Sequence, residues 1–418
     1  MSPTPTRRRL LAGLGTGVAT GLAGCSSVQW PWSAPPKASV PSGPNAWPMV
    51  GGDAGRTFAA PEATLPADVS ETWFDEGVSK PVVDDGVLVH ADERAVTAVS
   101  HEEGKQWSYH DLDEPSRPLL LNDLVVVGAG GPKLVGIERG SGEKRWSVSL
   151  SNIPPERHQW AGTTGPPVAT ADGVFSTAPP GIWRATPDGT EQWGTSEGLS
   201  LDTDVRLRTA VGQRKAYLVA TRRFDATNFP TDRFYARRSN VLAYDVESGD
   251  LAWQFGLSGR VPGFAVRDGV IHLLQTAYDS RNEGETISDV PALSRYYRVD
   301  GEHGTAESVV DLTAFGELHA MALADRPVVV GGQELTDRSR VFTVAGDDSW
   351  VHETEKRVSD LAATDEAVLY SMGDTVVCLD RADGGVRWRH TVGNRAKFAA
   401  VVDGAVYVET EAGVHRLG

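Results

Sequence analysis

A short unit recurs along this chain, and no other feature of the sequence restricts the fold as strongly. An acidic turn followed by a β-branched or aliphatic run appears at Asp85-Gly86-Val87-Leu88-Val89, Asn122-Asp123-Leu124-Val125-Val126-Val127, Asp172-Gly173-Val174-Phe175 and Asp268-Gly269-Val270-Ile271. It returns at Asp325-Arg326-Pro327-Val328, Asp365-Glu366-Ala367-Val368 and Asp403-Gly404-Ala405-Val406, with a degenerate copy at Arg214-Lys215-Ala216-Tyr217-Leu218-Val219. The mean spacing from Gly86 to Gly404 is roughly 45 residues, the length of one four-stranded sheet in a radial array.

Each copy leads into a second strand, a polar turn with Gly, and a third strand ending near Trp. Leu242-Ala243-Tyr244-Asp245 followed by Ser248-Gly249-Asp250-Leu251-Ala252-Trp253 is the clearest case, and Leu379-Asp380 to Gly384-Gly385-Val386-Arg387-Trp388 repeats it. Related turns precede Trp107, Trp146, Trp193 and Trp350, whereas the fifth copy, Asp300 to Ser308, has no Trp. Strands of about five residues joined by Asx-Gly turns, without long helical periodicity, predict antiparallel hairpins throughout. The last copy starts at Asp403 and leaves room for two strands before Gly418, while Ser70-Glu71-Thr72-Trp73-Phe74 supplies an orphan outer strand at the other end. Pairing them closes a ring and removes both sheet edges. The expected fold is therefore an all-β, eight-bladed β-propeller over residues 47–418, with seven blades or an irregular six as fallback.

These repeats resemble the pyrroloquinoline-quinone-like (PQQ-like) propeller family, whose units carry a loose Ala-x-Asp-x-x-Thr-Gly-x-x-x-Trp pattern. The match is good at Ala243 to Trp253 and at Leu379 to Trp388, and Trp47-Pro48-Met49-Val50-Gly51-Gly52-Asp53-Ala54-Gly55-Arg56-Thr57 is similar to the lead-in before such domains. The resemblance implies that Trp73, Trp107, Trp146, Trp193, Trp253, Trp350 and Trp388 dock each blade on the next. The family includes quinone-dependent alcohol dehydrogenases and a scaffold lipoprotein of outer-membrane protein assembly. The dehydrogenases need PQQ, a Ca²⁺ held by carboxylates and an Asn, a catalytic Asp and an adjacent Cys-Cys disulfide. The cysteines here stand alone at Cys25 and Cys378, so neither PQQ nor Ca²⁺ is expected.

Other catalytic signals are thin. Gly194-Thr195-Ser196-Glu197-Gly198 matches a nucleophile elbow in letters, but no helix is expected after it. The ten His show no zinc-type spacing, Asp84-Asp85 and Asp347-Asp348 read as turn caps, and Cys378 lies in an apolar strand as a buried thiol. No catalytic or metal-binding residue is assigned.

Residues 1–25 read as an export address. Arg7 and Arg8 begin a twin-arginine-like motif, Leu10 to Leu22 is apolar but too short to span a bilayer, and Leu22-Ala23-Gly24-Cys25 resembles a lipobox that would lipidate Cys25. Residues 26–46 read as a Pro/Ser-rich tether. The expected location is the outer face of the cytoplasmic membrane.

A net charge of −16 argues against nucleic acid as a partner, and the 40 basic residues are nearly all Arg, a haloarchaeal-type bias. Against that acidity, two insertions stand out. Thr221 to Asn240 holds Arg222, Arg223, Phe234, Tyr235, Arg237 and Arg238, and Thr276 to Arg298 holds Arg295, Tyr296 and Tyr297. They read either as long solvated loops or as one Arg and aromatic patch for an envelope protein partner. The functional expectation is a monomeric, lipid-anchored, non-catalytic interaction scaffold. A PQQ dehydrogenase or a sensor taking a small ligand in the central channel is the alternative.

Overall fold

The computed structural model describes residues 39–77, 79, 81–150, 164–178, 181–199, 205–223, 237–277, 293–332, 338–344 and 349–418. They form eight antiparallel sheets of four strands in each repeat, the eight-bladed propeller expected from the spacing. Blade 1 runs Val82–Asp84, Val87–Ala91, Val96–Ser100 and Gly104–Tyr109 from inside to outside, and Ala46–Trp47 adds a short fifth strand to its inner edge. Blade 8 takes three strands, Lys397–Val402, Ala405–Glu409 and Gly413–Leu417, from the C-terminus and its outermost strand, Glu71–Glu76, from the N-terminal side. Ser70 and Gly418 exchange backbone hydrogen bonds of 3.3 and 3.1 Å where the two ends of the chain meet.

The strands differ by position as their neighbours require. Second strands such as Leu124–Ala129 and Ala367–Met372 are buried along their whole length because a blade covers each face. The outermost Leu251–Ser258 alternates between half-buried and exposed residues, the period-two pattern of a strand with one wet face. A bulge shifts the register beside the outermost strand in seven blades, between Ala98/Val99, Lys144/Trp146, Arg184/Ala185, Ala243/Tyr244, Arg298/Val299, Cys378/Leu379 and Glu71/Trp73. In six of these the extra residue directly precedes a Trp, so the bulge re-aims that side chain toward the next blade.

The topology gives the ring two unlike faces. Turns between first and second strands and between third and fourth strands share one, the turn face. Loops between second and third strands share the other, the loop face, with the links between blades. The sequence reading placed long loops at Thr221 to Asn240 and Thr276 to Arg298, but hairpin pairing consumes much of both. Blade 4 pairs Lys215–Arg223 with Arg237–Asp245, and blade 5 pairs Val270–Ala277 with Leu293–Asp300.

Candidate functional site

The Trp residues join blades through a repeated contact. The indole Nε1 of Trp107 donates to the Arg139 carbonyl at 2.7 Å, that of Trp146 to Pro187 at 3.0 Å, that of Trp193 to Val246 at 2.9 Å and that of Trp253 to Gly301 at 3.0 Å. Each acceptor lies in the turn between third and fourth strands of the following blade. Trp350 donates likewise to Arg381 at 2.8 Å, and Trp388 donates to Pro66, just ahead of the strand that closes blade 8. The receiving turn must come close to the ring, which explains its glycine. Gly249 has φ +76°, and a Cβ there would stand 2.7 Å from the Trp193 ring. Trp73 is half-buried against the core that blade 8 shares with its neighbours.

The lead-in segment is the element the sequence did not place. It circles the ring axis at the turn-face ends of the innermost strands. The carbonyls of Pro44 and Asn45 accept from Asp403 and Asp85, Pro48 accepts from Leu120, Ala54 from Val211, Gly55 from Val266, Thr57 from Leu323 and Phe58 from Ala363. Seven blades thus bind one strap of chain. Gly55 permits this, because a Cβ there would stand 2.1 Å from the Val266 carbonyl oxygen. Asp53 fastens the tightest bend by accepting from the Thr57 amide at 3.1 Å and its hydroxyl at 2.6 Å, while burial pushes its carboxyl above the usual range. The Arg56 guanidinium is pushed down to about 9, by burial and then by Arg208 and Arg117 nearby.

Two clefts open on the loop face. One, of about 740 Å³, lies over blades 1 to 3 and reaches Asp360 on the innermost strand of blade 7, has Val50 and Phe58 of the strap in its lining, and carries Asp92, Glu93 and Glu114 beside Arg117. Arg117 is already paired with Glu409 at 3.2 Å. The other, of about 720 Å³, lies over blades 5 to 8 and is lined by Arg260, His319, Lys356, Arg357 and Arg395. The loop face is therefore acidic on one side and basic on the other.

The predicted partner patch is split by the structure. Arg222, Arg223, Arg237 and Arg238 fall on two adjacent rungs of blade 4, with Arg222 opposite Arg238 and Arg223 opposite Arg237; Arg238 is exposed. Arg295 lies opposite Gln275 in blade 5. Tyr296 is a correction: it is buried at 4% exposure, its hydroxyl 2.6 Å from His272 Nδ1, and it belongs to the core. Tyr297 is half-buried and donates to Gln275 Oε1 at 2.6 Å. Phe234 and Tyr235 lie outside the described residues, as do Arg7, Arg8, Cys25 and Asp347-Asp348.

Remaining sequence candidates have structural surroundings. Asp84 pairs with Arg139 at 2.6 Å, joining blade 1 to blade 2. Thr195 ends a strand and Ser196 enters a turn rather than a helix, so the elbow geometry is absent there. Cys378 is fully buried, and burial pushes its thiol up to about 12. Among the described residues, no three His, Cys, Asp or Glu side chains are grouped to hold a metal ion, and no helix is long and apolar enough to cross a membrane.

The family model described as outer membrane protein assembly factor BamB matches residues 26–207 and 336–417. The chain belongs to this family. Its PQQ-like propeller is shared by solved structures at low identity. BamB from Moraxella catarrhalis is similar at 15% identity and TM-score 0.54, covering 84% of this chain and 97% of that one. Quinohemoprotein alcohol dehydrogenase ADHIIG from Pseudomonas putida HK5 is similar at 13% identity and TM-score 0.61, covering 92% of this chain and 83% of that one. The computationally designed Ika8 protein is similar at 13% identity and TM-score 0.60, covering 83% and 98%. At such identities the likeness shows the fold. No curated protein matches the sequence.

The dehydrogenase relative raises the question of a quinone with its Ca²⁺, and the residues present do not fit that pair. The acidic cleft would repel a polycarboxylate quinone and, among the described residues, lacks a grouped metal-ligand set. Among the described residues, the basic cleft is lined by no Trp, Tyr or Phe that could stack on a planar ring. No catalytic step is derived through such a group.

Proposed function

We propose that the domain is a non-catalytic interaction scaffold of the cell envelope, held by a lipid on Cys25, whose protein partner docks on the loop face over blades 4 and 5. One observation carries the location. Second and third strands are nine residues long in blade 4 and eight in blade 5, against five or six in the other blades. This hairpin pair rises above the rim, and its upper rungs bear Arg222, Arg223, Arg237, Arg238 and Arg295 on a chain of net charge −16. Arginine is suited to interfaces because its planar guanidinium pairs bidentately with carboxylates and loses little hydration. The assembly role named for the matched family supports the same reading.

The test is a variant with Arg237, Arg238 and Arg295 changed to Ser. It should melt like the parent protein and lose the partner that co-purifies with the parent from membranes. Retention of that partner would remove the patch. Added quinone and Ca²⁺ should produce no dye reduction with alcohol substrates, and sustained turnover would favour the dehydrogenase reading.

A further inference from the structure

The basic cleft over blades 5 to 8 is not used by the scaffold reading, since neither Arg238 nor Arg295 is among its described lining residues. Its cations come from separate links: Arg260 leads into blade 5, Lys356 and Arg357 into blade 7, and Arg395 into blade 8, while His319 lies on the innermost strand of blade 6. The topology converges them from far apart in sequence.

Their charge is only partly compensated. Arg260 is paired with the buried Glu317. Lys356 is 3.9 Å from Asp374, and both side chains are exposed, so that pair is weak. Arg357 and Arg395 are exposed and have no carboxylate partner among the described residues. His319 adds a neutral donor and acceptor, because burial, with Arg357 and Arg260 alongside, pushes its imidazole down to about 4. Arg260 Nη2 lies 3.5 Å from His319 Nδ1; a guanidinium can only donate, so Nδ1 accepts and Nε2 carries the proton.

We propose that this cleft binds a small multivalent oxyanion carrying at least two phosphate or carboxylate groups. The volume of about 720 Å³ lies in the range of small-molecule sites. Among the described residues, Val358 is the one apolar side chain of its lining, which selects a hydrophilic ligand over an aromatic or acyl one. Two guanidiniums on different links, without a carboxylate partner among the described residues, call for more than one anionic group, and each offers fork geometry matched to phosphate or carboxylate. An acidic protein segment is the competing occupant; the concave shape and the scarcity of apolar lining favour the small anion.

The test is calorimetric titration of the full chain with pyrophosphate and, separately, with citrate, at ionic strength held constant with KCl. Saturable one-to-one binding of either anion is expected, and the anion that binds distinguishes phosphate from carboxylate chemistry. The Arg357→Ser/Arg395→Ser variant should bind at least tenfold more weakly, while Arg94→Ser/Arg145→Ser, which removes the same charge elsewhere, should bind like the parent. Thermal melts check that both variants are folded. The proposal is overturned if neither anion saturates, if both double variants lose binding equally, or if a Glu-rich peptide binds one-to-one where the small anions do not.

Discussion

The carbonyl oxygen of Ala54 accepts the backbone N–H of Val211 at 2.8 Å. The next residue, Gly55, does the same for Val266 at 2.8 Å, so one dipeptide ties blade 4 to its neighbour blade 5 beside the axis. A side chain at position 55 would meet the Val266 carbonyl. Gly55→Val should therefore destabilise the domain by about 1–3 kcal/mol through forced displacement of the strap, read as a lower urea midpoint. An unchanged midpoint would show that the strap is dispensable to the ring.

The indole contacts predict a graded series. Trp253→Phe keeps most of the ring but leaves the Gly301 carbonyl without its donor, a loss of about 1 kcal/mol. Trp253→Ala also opens a cavity between blades and should cost about 3–5 kcal/mol. Blade 5 offers an internal control, since exposed Ser308 occupies the register position held by Trp253 in blade 4. Ser308→Ala should stay within about 0.5 kcal/mol of the parent. Equal effects at 253 and 308 would refute the docking role.

Two histidines, buried His90 and half-buried His272, give the domain an acid limit. Burial pushes His90 down to about 4, Asp92 opposing and Lys105 assisting, and pushes His272 to about 4, with Arg298 and Arg267 assisting and Asp268 opposing. An unfolded histidine titrates near 6.5, so between about 6.5 and about 4 the unfolded chain binds more protons than the folded one. The stability from keeping them neutral is present above about pH 6.5 and is lost as pH falls toward about 4, at up to about 1.4 kcal/mol per pH unit for each. Urea midpoints at pH 7.5, 6 and 5 should fall accordingly, and His90→Gln with His272→Gln should flatten that slope. Parallel slopes for parent and variant would contradict the assignment.

Ring closure can be separated from the strap by truncation. Residues 65–418 keep the closing strand Glu71–Glu76 but lose the strap, and residues 77–418 lose both. The first should unfold cooperatively at a lower midpoint than residues 39–418. The second exposes the edge of Gly413–Leu417 and loses the Glu71 carboxylate's contact to His415 at 2.7 Å, and should lose cooperative unfolding and aggregate. Equal midpoints across the series would contradict closure by the N-terminal strand.

Blade number and closure could be read from sequence because each blade is a run of local hairpins, and Asp268-Gly269 or Ser248-Gly249 announces its turn within a few residues. The strap could not, because Gly51 to Thr57 forms bonds to blades 4, 5 and 6 that leave no local periodicity. Its one trace was a concentration of glycine where the backbone must come close to another backbone. Arginines 260, 357 and 395 were invisible for a related reason: each is an ordinary polar link residue until the ring brings the links together. Tyr296 misled because an aromatic beside two arginines resembles an interface, whereas strand alternation turns it inward to His272.

The central claim is that the loop face over blades 4 and 5 meets a protein partner. Its most direct test places a photo-cross-linking amino acid at Arg238 or Arg295 and, as the opposite-face control, at Glu247 in the blade 4 turn, in the intact chain in its own envelope. Cross-links to one discrete protein from positions 238 and 295, with none from 247, are predicted. A product from 247 alone, or the same products from all three positions, would contradict the account.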